Sequence, residues 1–264
     1  FETFAGGHEW PRADSIKNAL EWLTLQAMKA NLMTGDPKFV ENQFNVRMTT
    51  ADELSKGQRW VDAYKEYASV VRDFQGLNDV VVALQQVEKL KKSADLKKEI
   101  RSEEESFQRQ LREAGEIRAA WLKVPEPDEV RVPRHDAMIR LGEWRKKKDA
   151  ETNTADRRLA RRIISHLLIE SIESAQASLR SGDYNAALTN YELAHEADLK
   201  NANLVYEIAR VYALKKQKKS AIQSLEEAVA LGFKDLSRLK SEDAFASLTD
   251  EPRYQKLLAT MGHQ

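Results

Sequence analysis

Apolar residues recur every three or four positions along most of this chain. The spacing begins at Ile16 and returns in segments that start near residues 37, 60, 78, 95, 134 and 156. Such intervals place side chains on one face of an α-helix, so the pattern predicts a succession of amphipathic helices. The first helix is expected to end near Gly35, and residues 95–122 are expected to form one long, highly charged helix. We therefore expect an all-α fold.

Two helical segments match each other at an offset of 34 residues. The matching pairs are Ala175 and Ala209, Gly182 and Lys216, Tyr184 and Lys218, Ala187 and Ala221, Tyr191 and Leu225, and Ala194 and Ala228. We expect Ala187 and Ala221 where two helices cross closely, with the larger residues one turn later filling the groove. Both copies resemble the tetratricopeptide repeat, a helix-turn-helix unit that cannot bury its apolar face alone. The resemblance implies a stack of helical hairpins that serves as a binding scaffold.

A third, degenerate copy is predicted at residues 37–75. The apolar spacing from Trp60 onward matches the spacing from Tyr184 onward. The turn that begins at Gly57 is expected to be one residue longer than the turn at Gly182. The apolar residues after Phe233 predict short helices that close the array, because an end repeat must shield its apolar flank.

The chain begins with a motif that resembles the end of an α/β-hydrolase of the esterase or depolymerase type. Gly6-Gly7-His8-Glu9-Trp10-Pro11 is followed by a helix containing Ala19-Leu20-Glu21-Trp22-Leu23. The resemblance implies that His8 is a triad histidine, with two glycines that let the backbone turn its imidazole toward a serine. No Gly-x-Ser-x-Gly motif occurs in this sequence. The alternative is that His8 belongs to a leader whose glycines only make a turn.

Composition narrows the classes of partner. The 42 basic and 42 acidic side chains cancel, so no net field favours nucleic acid or an anionic membrane. The basic cluster of residues 145–148 and 157–162 is interleaved with acidic residues, which favours a solvated helix corner over a nucleic-acid site. The chain has no cysteine and only isolated histidines, and no apolar run reaches the ~20 residues of a membrane span. We expect no metal, no cofactor, no nucleic acid and no membrane.

The inner face of the repeats is the predicted binding surface. The first helix of each repeat places Gln176, Tyr206 and Arg210 on this face, where the guanidinium is suited to a carboxylate and the phenol to stacking. The expected partner is a protein or an extended peptide. The alternative is that neighbouring helices cover this face.

These observations predict a helical-hairpin repeat (TPR-like) solenoid with an additional long helix. The predicted parts are 1–35 as the tail of a hydrolase domain, 36–122 as a helical region with the degenerate hairpin, 123–133 as a connector, and 134–264 as repeats with capping helices. We expect a non-catalytic interaction module from a larger serine hydrolase, with an upstream hydrolase domain as a further partner. The alternatives are an active esterase whose cleft the helices shape, and a freestanding scaffold. A secreted or periplasmic location follows if the hydrolase resemblance holds; otherwise the compartment stays open.

Overall fold

The computed structural model describes residues 13–123, 133–152 and 154–262. The α-helices are α1 (Ala13–Lys29), α2 (Pro37–Lys56), α3 (Trp60–Phe74), α4 (Val81–Lys92), α5 (Ala94–Leu122), α6 (Pro133–Lys148), α7 (Ala155–Arg180), α8 (Tyr184–Ala197), α9 (Ala202–Leu214), α10 (Lys218–Ala230), α11 (Leu236–Ser241) and α12 (Pro252–Gly262). A 3-10 helix, Asp243–Leu248, lies between the last two. These residues contain no β-strand, and consecutive helices pack against each other, so the prediction of an all-α fold of stacked helical hairpins is confirmed. The predicted long helix is α5, with 29 residues.

The described residues form two compact units that divide after Glu105, within α5. Unit 1 contains α1 to α4 and the start of α5, and unit 2 contains the rest. Unit 1 buries one cluster of apolar residues and unit 2 buries three, and no cluster contains buried residues of both units, so each unit is described separately.

In unit 1, α2 and α3 form a hairpin against which α1 and α4 pack. The core contains Leu25 and Met28 of α1 together with Tyr67 and Phe74 of α3. The residue before α3 gives no side-chain cap. Instead Glu99 of α5 accepts hydrogen bonds from the first two backbone N–H groups of α3, at 2.8 and 3.2 Å. A carboxylate at a helix N-terminus satisfies N–H groups that have no partner within the helix.

The helix α1 ends earlier than the sequence predicted. It stops at Lys29 rather than near Gly35. Asn31 has a left-handed backbone with φ of 55°, and the N–H of Leu32 donates to the carbonyl oxygen of Ala27 at 2.9 Å. This geometry closes the last turn, and asparagine tolerates it better than most residues.

In three hairpins, α2–α3, α7–α8 and α9–α10, the two helices are joined by a turn of the same length and geometry. The turns are residues 57–59, 181–183 and 215–217, and their middle residues Gln58, Gly182 and Lys216 have φ of 57°, 76° and 61°. In each turn the next N–H donates to the carbonyl oxygen five residues earlier, at 3.0, 2.9 and 2.9 Å. The expectation of a longer turn at Gly57 is wrong, because Gln58 rather than Gly57 holds the left-handed position.

The small residues of the three hairpins occupy equivalent buried positions. Ala51, Ala175 and Ala209 lie on the first helices, and Ala63, Ala187 and Ala221 lie on the second helices; all six are fully buried. In unit 2, Ala209 and Ala221 share one core with residues of α11, the 3-10 helix and α12. The C-terminal segment therefore shields the apolar flank of the last hairpin, as a repeat array requires.

Candidate functional site

The predicted inner face contains both exposed and buried residues. Gln176 on α7 is exposed. Tyr206 on α9 is fully buried, because its ring stacks on Phe233 at a centroid distance of 4.5 Å and meets Phe245 edge-on at 5.6 Å. The stacking partner expected from a ligand is therefore supplied by the C-terminal segment of the chain itself.

The guanidinium of Arg210 is also held by carboxylates of the chain. Its Nη1 lies 3.1 Å from Glu207 Oε2, and its Nε lies 3.1 Å from Glu242 Oε2. Arg238 pairs with the other oxygen of Glu207 and lies over the ring of Tyr206, 4.4 Å from its centroid. Two arginines and two glutamates thus form a charge-balanced cluster between α9 and the capping segment.

The tyrosines beside this cluster stay protonated near neutral pH. Burial raises the pKa of Tyr206 to about 12. Burial also raises the pKa of Tyr191 to about 12, and the carboxylate of Glu207 acts in the same direction. Neither phenol serves as a base at neutral pH, because each loses its proton only well above that range.

The three predicted binding residues therefore do not form one exposed surface. Residues 233–248 cover the face of α9 that carries Tyr206 and Arg210, which is the alternative arrangement considered from the sequence. Gln176 is the member of the set that solvent reaches freely. Ile172 and Leu179, which lie near Gln176 on α7, are half-buried and pack against the core between α7, α8 and α9. A ligand role for Gln176 stays a prediction.

An open cleft lies in unit 1, in a region for which the sequence predicts no site. It is lined by Gly35, Asp36, Pro37, Val40, Glu41, Phe44, Asn45, Gly76, Leu77 and Asn78, and its volume is about 510 Å³. The N-terminal half of α2 forms one wall and the turn after α3 forms the other. The two turns that bound it, at Gly35 and Gly76, are visible in the sequence, but nothing local indicates that they meet.

The polar groups of the cleft are two carboxylates and two amides. Asp36 caps α2, because its Oδ1 accepts hydrogen bonds from the N–H groups of Lys38 and Phe39 at 3.0 and 3.2 Å. Glu41 is exposed on the next turn of α2. No arginine, lysine or histidine lines the cleft.

A second surface feature is an exposed apolar stripe on α1. Leu20 and Leu23 are 59% and 54% exposed, and Ile16 is 43% exposed. The buried residues Leu25 and Met28 lie roughly 140° away around the helix, at 100° per residue. The stripe that the sequence spacing identified is thus not the face that packs into unit 1.

The basic cluster of residues 145–162 makes contacts within unit 2. Arg145 Nη1 lies 3.1 Å from Glu196 Oε2. Arg157 donates to two backbone carbonyl oxygens in and after the last turn of α6, each at 3.2 Å. Lys147 Nζ lies 4.3 Å from the ring centroid of Trp144. These contacts favour a structural role for the cluster, in line with the helix-corner interpretation.

The histidines do not form a site within the described part of the chain. His166 Nε2 lies 3.5 Å from Glu170 Oε2 on the same helix, and His195 Nε2 lies 3.9 Å from Glu227 Oε1. No group of three His, Asp or Glu side chains among these residues is placed to hold a metal ion. His8, the predicted triad histidine, lies outside the described residues.

Comparison with protein-family models, with curated proteins and with solved structures finds no match to this chain. None of the helices within the described ranges has both the length and the apolar character needed to cross a bilayer.

Proposed function

We propose that this chain is a non-catalytic interaction module of the tetratricopeptide type. The observation that supports the proposal most directly is the common geometry of three hairpins, which share a left-handed turn and fully buried alanines at matching positions. Stacked hairpins of this kind present extended surfaces that bind other polypeptides. Gln176 and the neighbouring exposed face of α7 belong to that surface.

The proposal includes attachment to a hydrolase domain that precedes the repeats, with residues 1–35 as the end of that domain. The exposed stripe of α1 supports this part. A helix with apolar residues on two sides is typical of helices packed between two layers. Leu25 and Met28 face unit 1, and Ile16, Leu20 and Leu23 are available to cover the hydrolase domain.

The attachment is tested on the polypeptide segment encoded before Phe1. We expect this segment to contain a Gly-x-Ser-x-Gly motif and, when produced separately, to bind the present chain in a calorimetric titration. Leu20→Lys combined with Leu23→Lys should weaken that binding at least tenfold, because two charges would be placed in an apolar interface.

The matched control is Val82→Lys combined with Leu84→Lys, which alters two exposed apolar residues on α4. This variant should bind as tightly as the unaltered chain. A preceding segment without the serine motif, or equal binding by both double variants, would refute the attachment.

The absence of catalysis is tested on the present chain alone. A histidine without a nucleophile cannot form an acyl-enzyme, so the purified chain should not hydrolyse p-nitrophenyl butyrate. Hydrolysis by a homogeneous preparation that disappears in His8→Ala would overturn the proposal and establish the esterase alternative.

A further inference from the structure

We propose that the cleft between α2 and the turn at Gly76 binds an arginine or lysine of a partner polypeptide, flanked by apolar residues. The inference rests on the proposed interaction role and names the chemistry of the partner. It locates binding on α2, which is the first helix of the hairpin in unit 1.

The size and lining of the cleft suit a long side chain with an apolar stem. Its volume of about 510 Å³ lies within the range typical of ligand sites. Val40 is buried, and Phe44 and Leu77 are half-buried, so these three side chains provide apolar surface within the cleft. Arginine and lysine bury their methylene groups along such surfaces while the charged end stays near water.

The charge of the side chains that line the cleft favours a positively charged ligand. Asp36 and Glu41 contribute two carboxylates, and the lining contains no basic side chain. Neither carboxylate belongs to any of the ion pairs found in the described ranges, whereas the acidic residues of the α9 cluster are paired with arginines. Asp36 is already engaged as the N-cap of α2, so the exposed carboxylate of Glu41 supplies most of the attraction for a cation, and this attraction is screened by salt.

The surroundings of the cleft favour a polypeptide over an isolated small cation. Leu32 and Met33, which precede the cleft residue Gly35, are 81% and 46% exposed. Apolar residues that flank the bound arginine or lysine in the partner can pack against Leu32 and Met33. The side-chain amides of Asn45 and Asn78 offer hydrogen-bonding groups for the backbone of an extended segment.

The test uses three synthetic peptides and the unaltered chain, labelled with ¹⁵N. The probes are N-acetyl-Leu-Arg-Leu-amide, the same peptide with neutral citrulline, and the same peptide with glutamate. We expect the arginine peptide to shift the amide resonances of Gly35 and Gly76 and the side-chain amides of Asn45 and Asn78. The citrulline peptide should bind at least threefold more weakly, and the glutamate peptide should not bind. Raising the salt concentration from 50 to 500 mM should lower the affinity for the arginine peptide.

Variants on α2 supply the control. Glu41→Gln should lower the affinity for the arginine peptide roughly two- to fivefold, which is the range expected for one exposed ion pair. Glu41→Lys should abolish detectable binding. Glu53→Gln removes another exposed carboxylate from the same helix, outside the cleft, and should leave binding unchanged.

The inference is overturned if the arginine and glutamate peptides bind equally, or if Glu41→Gln and Glu53→Gln have the same effect. Binding of the arginine peptide with shifts confined to other surfaces, such as the face around Gln176, would refute the cleft and leave the interaction role intact.

Discussion

Lys216 has a backbone conformation that residues with a β-carbon rarely adopt. Its φ is 61°, and the equivalent residue in the preceding repeat is Gly182, with φ of 76°. The left-handed conformation costs such residues about 1 to 2 kcal/mol, and glycine avoids most of this cost. Both turns are closed by the same hydrogen bond, from Asp183 N–H to Ser178 O and from Gln217 N–H to Tyr212 O, each at 2.9 Å, so the turn geometry is maintained against the preference of lysine.

Lys216→Gly is therefore expected to stabilise the protein by about 0.5 to 1 kcal/mol, after allowance for the greater entropy of glycine in the unfolded chain. Thermal unfolding followed by circular dichroism measures the change. Lys219→Gly is the matched control, since it places glycine within α10 and should destabilise instead. A loss of stability in Lys216→Gly would contradict the argument.

At the scale of elements, one buried carboxylate connects three helices. Asp73 of α3 is 1% exposed and accepts hydrogen bonds from Arg47 of α2 and Arg72 of α3, each at 2.8 Å. Trp22 of α1 donates to the same carboxylate at 3.4 Å. Burial by itself would raise the pKa of Asp73, but the hydrogen bonds and positive charges of the two arginines outweigh it, so the pKa lies below its usual value.

Asp73→Asn should destabilise the protein by about 1 to 3 kcal/mol, because it removes the anion that Arg47 and Arg72 share, while Arg47 keeps its ion pair with Glu66 and Arg72 can turn to solvent. The lowered pKa also fixes the sign of the pH dependence. The stabilisation is complete above the unfolded pKa of about 4 and is lost as the pH falls through the lower folded value. Urea unfolding between pH 6 and pH 2 should therefore show a flatter pH dependence in Asp73→Asn.

Asp62→Asn is the control for the prediction about Asp73. Asp62 pairs with Arg59 on the surface, three residues apart, and its loss should change stability by less than about 0.5 kcal/mol. Equal effects of the two substitutions would contradict the assignment of Asp73 as the connection between α1, α2 and α3.

The close approach of paired helices depends on alanine. Ala221 of α10 is fully buried in the core that also contains Ala209 of α9. Ala221→Leu should destabilise the protein by about 1 to 3 kcal/mol, because extra methyl groups in a packed core force neighbouring side chains out of their preferred rotamers. Ala177→Leu, on the exposed face of α7, should be close to neutral in the same thermal measurement. A tolerated leucine at 221 would mean that these helices do not pack closely there.

The sequence predicted the helices well because apolar spacing is a local property. It predicted their surroundings less well. The spacing of Ile16, Leu20 and Leu23 identified a stripe on α1, but Leu25 and Met28 are the residues that face the core of unit 1. The sequence placed Tyr206 on the binding face, but residues 233–248 cover it. No local pattern in the sequence specifies that these residues pack against α9.

The cleft is the clearest case of a feature that needs three dimensions. Gly35-Asp36-Pro37 and Gly76-Leu77-Asn78 are ordinary turn sequences, separated by a full helical hairpin. The cleft forms because α2 and α3 run back along each other and bring their outer ends together. Its acidic lining then follows from residues that, in the sequence, only cap and continue α2.

At the scale of the whole molecule, the two units have separate cores within one chain. The boundary lies in α5, where Ile100 and Phe107 on either side of it are 49% and 47% exposed. Cores that share few residues unfold as partly independent units, as in other repeat proteins. We therefore expect two transitions in differential scanning calorimetry.

Matched substitutions assign the transitions. Leu90→Ala in unit 1 and Leu225→Ala in unit 2 both remove a buried leucine and should each cost about 2 to 5 kcal/mol. Each should lower the temperature of one transition and leave the other in place. Trp121 and Trp144 are buried in unit 2, so their part of the fluorescence change should follow the transition sensitive to Leu225→Ala. If both substitutions lower a single transition together, α5 couples the units into one cooperative structure, because a continuous helix then transmits the loss of either core to the other.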